Sequence, residues 1–228
     1  MKFVLAANHR FKSWVDRCTA SLDRLKADYT VYDLGSLGTG TPWLIKNDTF
    51  QSMGYYRSNY IHHACKGMHK PGVLINFLHR QEPGQLVCLI DADTVVLDPM
   101  AELEKQVIDV ALTVNAPERF EQLGEYFYLN AGVMFVRRTE PALRFLDRWR
   151  ERAKADQNEQ LALFNMLKDA EGESVLELPV SIYNYRQVTD QPIPPTAKIV
   201  HYIASLRDPV MRRLWSMRGV DRPLPAPP

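Results

Sequence analysis

Leu86-Val87-Cys88-Leu89-Ile90-Asp91-Ala92-Asp93-Thr94 runs five apolar residues straight into two carboxylates. An unbroken apolar run of this kind, preceded by the turn pair Pro83-Gly84, fits a strand buried on both faces. In an open parallel sheet ligands bind beyond the carboxyl ends of the strands. Asp91 and Asp93 fall at such an end. Two carboxylates one residue apart are poorly suited to burial without a partner. A hard divalent cation, Mg²⁺ or Mn²⁺, would neutralise them, with phosphate oxygens of a substrate completing the shell. The bland alternative is a solvated turn in which an Asp caps local backbone. It is the commoner outcome for a lone Asp-x-Asp, and the position directly after a buried strand favours function.

The flanking sequence supplies the rest of such a sheet. Residues 3–7 (Phe-Val-Leu-Ala-Ala) form a second apolar run. Residues 11–26 place Trp14, Val15, Cys18, Leu22 and Leu25 at helical spacing, and 29–34 read as another strand. This β-α-β start points to parallel strands with helices on the faces of the sheet. Downstream, the pattern predicts helices over 52–65, 71–78, 100–106, 140–155 and 159–167. It predicts strands over 109–114, 174–178 and 198–202, and an extended stretch over 126–138 interrupted at Asn130-Ala131-Gly132. Residues 1–222 read as one catalytic domain, and the Pro-rich tail 223–228 cannot hold regular structure.

Composition narrows the function. The chain has 228 residues, with 28 Lys+Arg against 27 Asp+Glu, and is 46% hydrophobic. Disordered chains are less apolar and more charge-imbalanced. A net charge of +1 gives no general electrostatic grip on nucleic acid, so no nucleic-acid partner is expected. No apolar run approaches the roughly 20 residues that cross a bilayer. The apolar start is followed at once by Asn8-His9-Arg10, too short a stretch for a secretory signal. Cys18, Cys65 and Cys88 lack metal-ligand spacing and leave an odd count, so a reduced, cytoplasmic setting is the expectation.

Two chemistries share the Asp-x-Asp-Thr pattern. One resembles the nucleophile loop of haloacid-dehalogenase-type phosphatases, in which the first Asp attacks phosphorus and the second is the acid/base. That family carries the motif on its first strand and needs a later acidic cluster. Here 90 residues precede it, and neither Gly-Asp-x-x-x-Asp nor Asp-Asp follows.

The other is sugar transfer from a nucleotide diphosphate. Six features occur in order: Lys70-Pro71, the strand-borne Asp91-Ala92-Asp93, Leu129-Asn130-Ala131-Gly132-Val133, Asn158-Glu159-Gln160, Leu178-Pro179 with Tyr183-Asn184, and Ile199-Val200-His201-Tyr202. Together they resemble the GT-A-fold glycosyltransferases, most similarly the glycogenin-like retaining families. The resemblance spans 70–202 and implies an α/β fold of GT-A type, with a mostly parallel central sheet and helices on both faces. It implies a Mn²⁺ or Mg²⁺ ion on Asp91, Asp93 and His201. It also implies a nucleotide-sugar donor, UDP-linked, against Ala6, Asn8, Lys70, Asp91, Ala92, Asp93, Ala131 and Gly132. Asn130, Glu159 and Gln160 would be the catalytic and sugar-positioning residues, acting with retention on an unknown glycan, lipid or protein acceptor.

The chain also departs from that pattern. Glu159 stands where the family carries Asp, which moves the carboxylate by about 1.5 Å. Such a shift matters to a reacting group. Arg207 stands where a Lys-Pro-Trp segment often follows the late His, and its guanidinium could clamp a diphosphate. Residues 206–222 carry five Arg against two Asp with apolar residues at helical spacing. This stretch could lie on an anionic membrane as a peripheral contact, close over the donor, or pack on the domain. His62, His63 and His69 fit a solvated or core role, and Arg57 is a weaker phosphate candidate than Lys70. Two alternatives stay open: a sugar nucleotidyltransferase, which would want a glycine-rich loop after residues 3–7, and a catalytically silent nucleotide-sugar-binding protein.

Overall fold

The computed structural model describes residues 1–7, 11–33, 69–115, 128–156, 158–168, 172–187 and 192–202. Asn8, Arg57, His62, His63, Cys65, Arg207, the stretch 206–222 and the tail 223–228 lie outside them. In chain order the elements are β1 (Lys2–Ala7), α1 (Lys12–Arg24), β2 (Asp28–Asp33), α2 (Lys70–Leu78), β3 (Leu86–Ile90), β4 (Thr94–Val96), α3 (Ala101–Glu104) and β5 (Val110–Val114). They continue with β6 (Leu129–Arg137), α4 (Glu140–Asp156), α5 (Glu159–Lys168), β7 (Val175–Pro179), α6 (Val180–Tyr183), β8 (Tyr185–Arg186) and β9 (Ile199–His201).

Six strands form the central sheet in the order β2-β1-β3-β6-β5-β7. Pairs β1–β2, β1–β3 and β5–β7 are parallel, and β6 runs against both of its neighbours. The sheet is therefore mostly parallel, as expected, with one reversed strand. A second sheet, β4-β9-β8, lies past the carboxyl end of β3.

The strand of the Asp-x-Asp motif shows why this sequence chooses this architecture. All five residues of β3 are buried. Val87 and Leu89 join a core with Val4, Leu112, Met134 and the apolar faces of α2, α4 and α5. Leu86, Cys88 and Ile90 turn the other way, onto Phe3, Leu5, Phe135 and Cys18 and Leu22 of α1. Period-two alternation thus feeds two cores, and an apolar residue is needed at every position.

Helix α4 buries Ala142, Leu143, Phe145, Leu146, Trp149 and Ala153, a stripe at three- and four-residue spacing. Thr139 caps it: its Oγ1 accepts the Ala142 N–H at 3.2 Å. Gly84 supplies the positive φ of the turn before β3.

Several expectations needed correction. The helix at 100–106 is a single turn, Ala101–Glu104, entered through Met100 in a left-handed conformation. The extended stretch at 126–138 is a continuous strand, β6, beginning at Leu129. What is interrupted is its pairing, since Leu112 faces Met134 while the next residue, Thr113, faces Asn130. Pro179 has no N–H to extend a ladder, so β7 ends there and the turn α6 carries the chain to Asn184. Among the described residues, no helix is long and apolar enough to cross a membrane.

Candidate active site

The turn after β3 is pinned from both sides. The Asp91 N–H donates to the Gly132 carbonyl of β6 at 2.8 Å, and the Asp93 carbonyl accepts the Tyr202 N–H at 2.9 Å. Inside the turn, the Thr94 hydroxyl donates to the Asp91 carbonyl at 2.8 Å. These bonds hold both carboxylates at the mouth between β3 and β6. Strand β9 pairs with β4 so that His201 lies opposite Thr94, which sets its imidazole beside them. His201 Nε2 lies 3.2 Å from Asp93 Oδ1 and 3.7 Å from Asp91 Oδ2. Asp93 and His201 are buried.

Two oxygen donors and one nitrogen donor, all within 4.8 Å of one another, could hold a metal ion. The chemistry of the set fits a divalent cation. Two buried or half-buried carboxylates facing one ring nitrogen leave an excess of electron-rich atoms at one point.

Beside this cluster is a second one built on Lys70, the first residue of α2. Its ammonium lies 3.0 Å from Asp91 Oδ1 and 3.1 Å from Glu159 Oε1, and donates to the Ala131 carbonyl at 2.9 Å. An ammonium has three N–H donors, so these three contacts use all of them. Burial alone would depress the Lys70 pKa. The carboxylates of Asp91 and Glu159 more than reverse this and hold it well above the ordinary lysine value.

Glu159 opens α5, where the positive end of the helix dipole favours a carboxylate. Asn158 caps that helix by accepting the N–H groups of Gln160 and Leu161, each at 3.1 Å. The fully buried Trp149 donates its indole N–H to the Glu159 carbonyl at 2.9 Å, tying the start of α5 to α4.

Asn130, Ala131 and Gly132 fall where β6 loses its register with β5. Asn130 Oδ1 accepts the Gly132 N–H at 2.8 Å. A Cβ on Gly132 would meet His201 Cε1 at 2.6 Å, so the close approach that glycine permits here is to the imidazole. Ala92 turns its methyl into the core on the α1 side. Ala6 lies on β1 opposite Tyr32.

The structure thus brings Lys70, Asp91, Asp93, Asn130, Ala131, Gly132, Glu159 and His201 to one place, with Gln160 following Glu159 on α5. The sequence reading passed over Thr113 and left Asn184 without a role. Both are fully buried polar residues. Asn184 contacts His201 Nδ1 through Oδ1 at 3.0 Å, and its Nδ2 donates to Thr113 Oγ1 at 3.0 Å and Asn130 Oδ1 at 2.9 Å. The Tyr183-Asn184 dipeptide of the motif was the available signal.

A family model described as nucleotide-diphospho-sugar transferase matches residues 68–200, more than half the chain. No curated protein has a significant sequence match. Among solved structures, a glycosyltransferase involved in glycosylation of the major capsid of the virus PBCV-1 is similar at a TM-score of 0.55 and 12% identity. That match covers 93% of this chain and 98% of the other. The glycosyltransferase GlyE of Streptococcus pneumoniae is similar at a TM-score of 0.54 and 13% identity, covering 99% of this chain and 66% of GlyE. The galactosyltransferase LgtC, solved with donor and acceptor sugar analogues, is similar at 0.53 and 13% identity, covering 99% and 98%. The fold around these two clusters is therefore GT-A, and the chain is a glycosyltransferase belonging to the nucleotide-diphospho-sugar transferase family.

Proposed function

We propose that the chain moves a sugar from a UDP-linked donor to a glycan, lipid or protein acceptor with retention of configuration, using Asp91, Asp93 and His201 to hold a divalent cation. The observation that carries this reading is the convergence of two carboxylates and an imidazole from distant parts of the chain, with donor atoms within 4.8 Å. A mixed oxygen and nitrogen set suits Mn²⁺ better than Mg²⁺, which prefers oxygen ligands. The cation, when bound, would offset the charge that builds on the departing diphosphate.

The chain's own residues divide the remaining work. Glu159 Oε1 and Asp91 Oδ1 each lie about 3 Å from one nitrogen, so they are within about 6 Å of each other. That distance supports Glu159 facing the same sugar as the donor site, where it stabilises positive character at the anomeric carbon or acts as a weak nucleophile. Lys70 serves the donor indirectly: it fixes both carboxylates and the Ala131 carbonyl instead of gripping phosphate itself. Asn130 and Gln160 orient the sugar. Ala6, Asn8, Ala92, Ala131 and Gly132 border the donor, and Arg207 clamps the diphosphate. Retention and the uridine base rest on the motif resemblance, and the likeness to a galactosyltransferase makes a hexose the first donor to try.

The test is nucleotide release from a panel of UDP-sugars with Mn²⁺. Wild-type protein should release nucleotide, and Asp93→Asn and His201→Ala should lose about 100-fold or more. Release at the wild-type rate by both variants would overturn the assignment. Metal-dependent UDP binding without turnover of any donor would make the protein a nucleotide-sugar binder instead.

A further inference from the structure

We propose that Asn184 is a positioning residue that sets the tautomer of His201, keeping the proton on Nδ1 so that Nε2 presents a lone pair to Asp91 and Asp93. A chain of forced choices leads there. The backbone N–H of Gly132 can only donate, so the Asn130 side-chain atom 2.8 Å from it is the oxygen. That same oxygen lies 2.9 Å from one terminal atom of the Asn184 amide, which must therefore be the nitrogen. The other terminal atom, 3.0 Å from His201 Nδ1, is then the amide oxygen. An amide oxygen only accepts, so Nδ1 bears the hydrogen.

Thr113 closes the network consistently. Its single hydroxyl proton goes to the Asn130 carbonyl at 2.8 Å, which leaves the oxygen to accept the second Asn184 N–H at 3.0 Å. The orientation is thus fixed by a main-chain donor three hydrogen bonds away from the ring, within residues that are buried or nearly so.

The alternative tautomer has an evident attraction. Asp93 Oδ1 lies 3.2 Å from Nε2 and would accept a proton held there. An imidazole with Nε2–H has no lone pair for a cation on that side. The Gly132–Asn130–Asn184 relay works against this by providing a buried acceptor on the opposite edge of the ring. Groups that hydrogen-bond the far ring nitrogen of a metal-ligating histidine act in this way, and losing one typically costs about 10- to 100-fold in metal affinity or activity. The tautomer itself stands on geometry alone, whereas its use in cation binding rests on the metal site proposed above.

The experiment is two-bond ¹H–¹⁵N correlation NMR of metal-free, ¹⁵N-histidine-labelled protein at about pH 9, above the ordinary imidazole range, with His201 assigned by its loss in His201→Gln. Wild type should show the Nδ1–H pattern. Asn184→Leu should shift His201 toward Nε2–H, and Asn184→Asp, which keeps an acceptor, should retain Nδ1–H. Mn²⁺ titration of the same proteins should give a Kd about 10- to 100-fold weaker for Asn184→Leu than for wild type. An Nε2–H wild type would overturn the inference, even if Asn184→Leu does not fold, and so would a folded Asn184→Leu with an unchanged ring. If His201 shows Nδ1–H and wild type binds no Mn²⁺, the metal reading fails and the tautomer assignment survives.

Discussion

Asp91 belongs to two clusters of different make-up, one at each carboxylate oxygen. Through Oδ1 it joins Lys70 and Glu159, where one ammonium meets two carboxylates and spends every N–H it has. Through Oδ2 it faces Asp93 and the imidazole of His201, whose Nε2 lies within 3.7 Å of both carboxylates. The first cluster completes its own contacts and fixes geometry. The second gathers three ligand atoms within 4.8 Å of one another, which could hold a metal ion. Proximity alone would not separate these roles, because both lie at one mouth of the sheet and share a residue.

The contrast is open to attack at each corner, beginning with the largest effect. Asp93→Asn removes one of the two carboxylates that face His201 without changing volume. It should abolish metal-dependent nucleotide release by about 100-fold or more while leaving the melting temperature close to wild type, which a thermal melt beside the activity assay would establish. Lys70→Met should do the reverse to stability. Removing one partner from a buried ionic cluster leaves uncompensated charge and costs about 3–5 kcal/mol, measurable by urea unfolding. A Lys70→Met protein as stable as wild type would mean that the ammonium is not the structural tie described above.

The pH dependence of that difference has a definite sign. The folded state raises the Lys70 pKa, with burial opposing and Asp91 and Glu159 outweighing it. Its contribution is therefore complete below the ordinary lysine value and is lost as pH rises through the elevated one. The wild-type advantage over Lys70→Met should persist through about pH 10 and shrink only above it.

Smaller effects probe the links between corners. Gly132→Ala puts a methyl 2.6 Å from His201 Cε1. Overpacking of this kind costs about 1–3 kcal/mol, and displacement of the ring should weaken Mn²⁺ binding more than it lowers stability. Trp149→Phe removes the indole N–H that holds the Glu159 carbonyl. About 1 kcal/mol of stability should go with it, along with part of the turnover rate at unchanged metal affinity.

Much of this was readable from residue order. The apolar runs of β1 and β3 and the stripe of α4 are long enough for periodicity to work, and the motifs marked Asp91, Asp93 and His201. Strands β4 and β8 and the turn α6 were not seen, because two to four residues hold no period. Lys70 carried a recognisable Lys-Pro signature, yet its partners could not be read from it. A lysine bound for phosphate and one bound for two carboxylates look alike until the fold brings Glu159 alongside. Gly132 was similarly ambiguous: glycine in a strand marks a close approach, and only the structure shows that the neighbour is His201. The Thr113–Asn184–Asn130 network was hidden for the same reason. Each residue is an ordinary polar side chain in sequence, and its meaning comes from a hydrogen bond across the fold.

The most direct test of the central claim is a calorimetric titration of Mn²⁺ into the protein in the presence of UDP. Wild type should bind one equivalent of Mn²⁺, with affinity reduced about 10-fold or more by Asp93→Asn and by His201→Ala and near wild-type in Trp149→Phe. Equal Mn²⁺ affinity in wild type, Asp93→Asn and His201→Ala would contradict it.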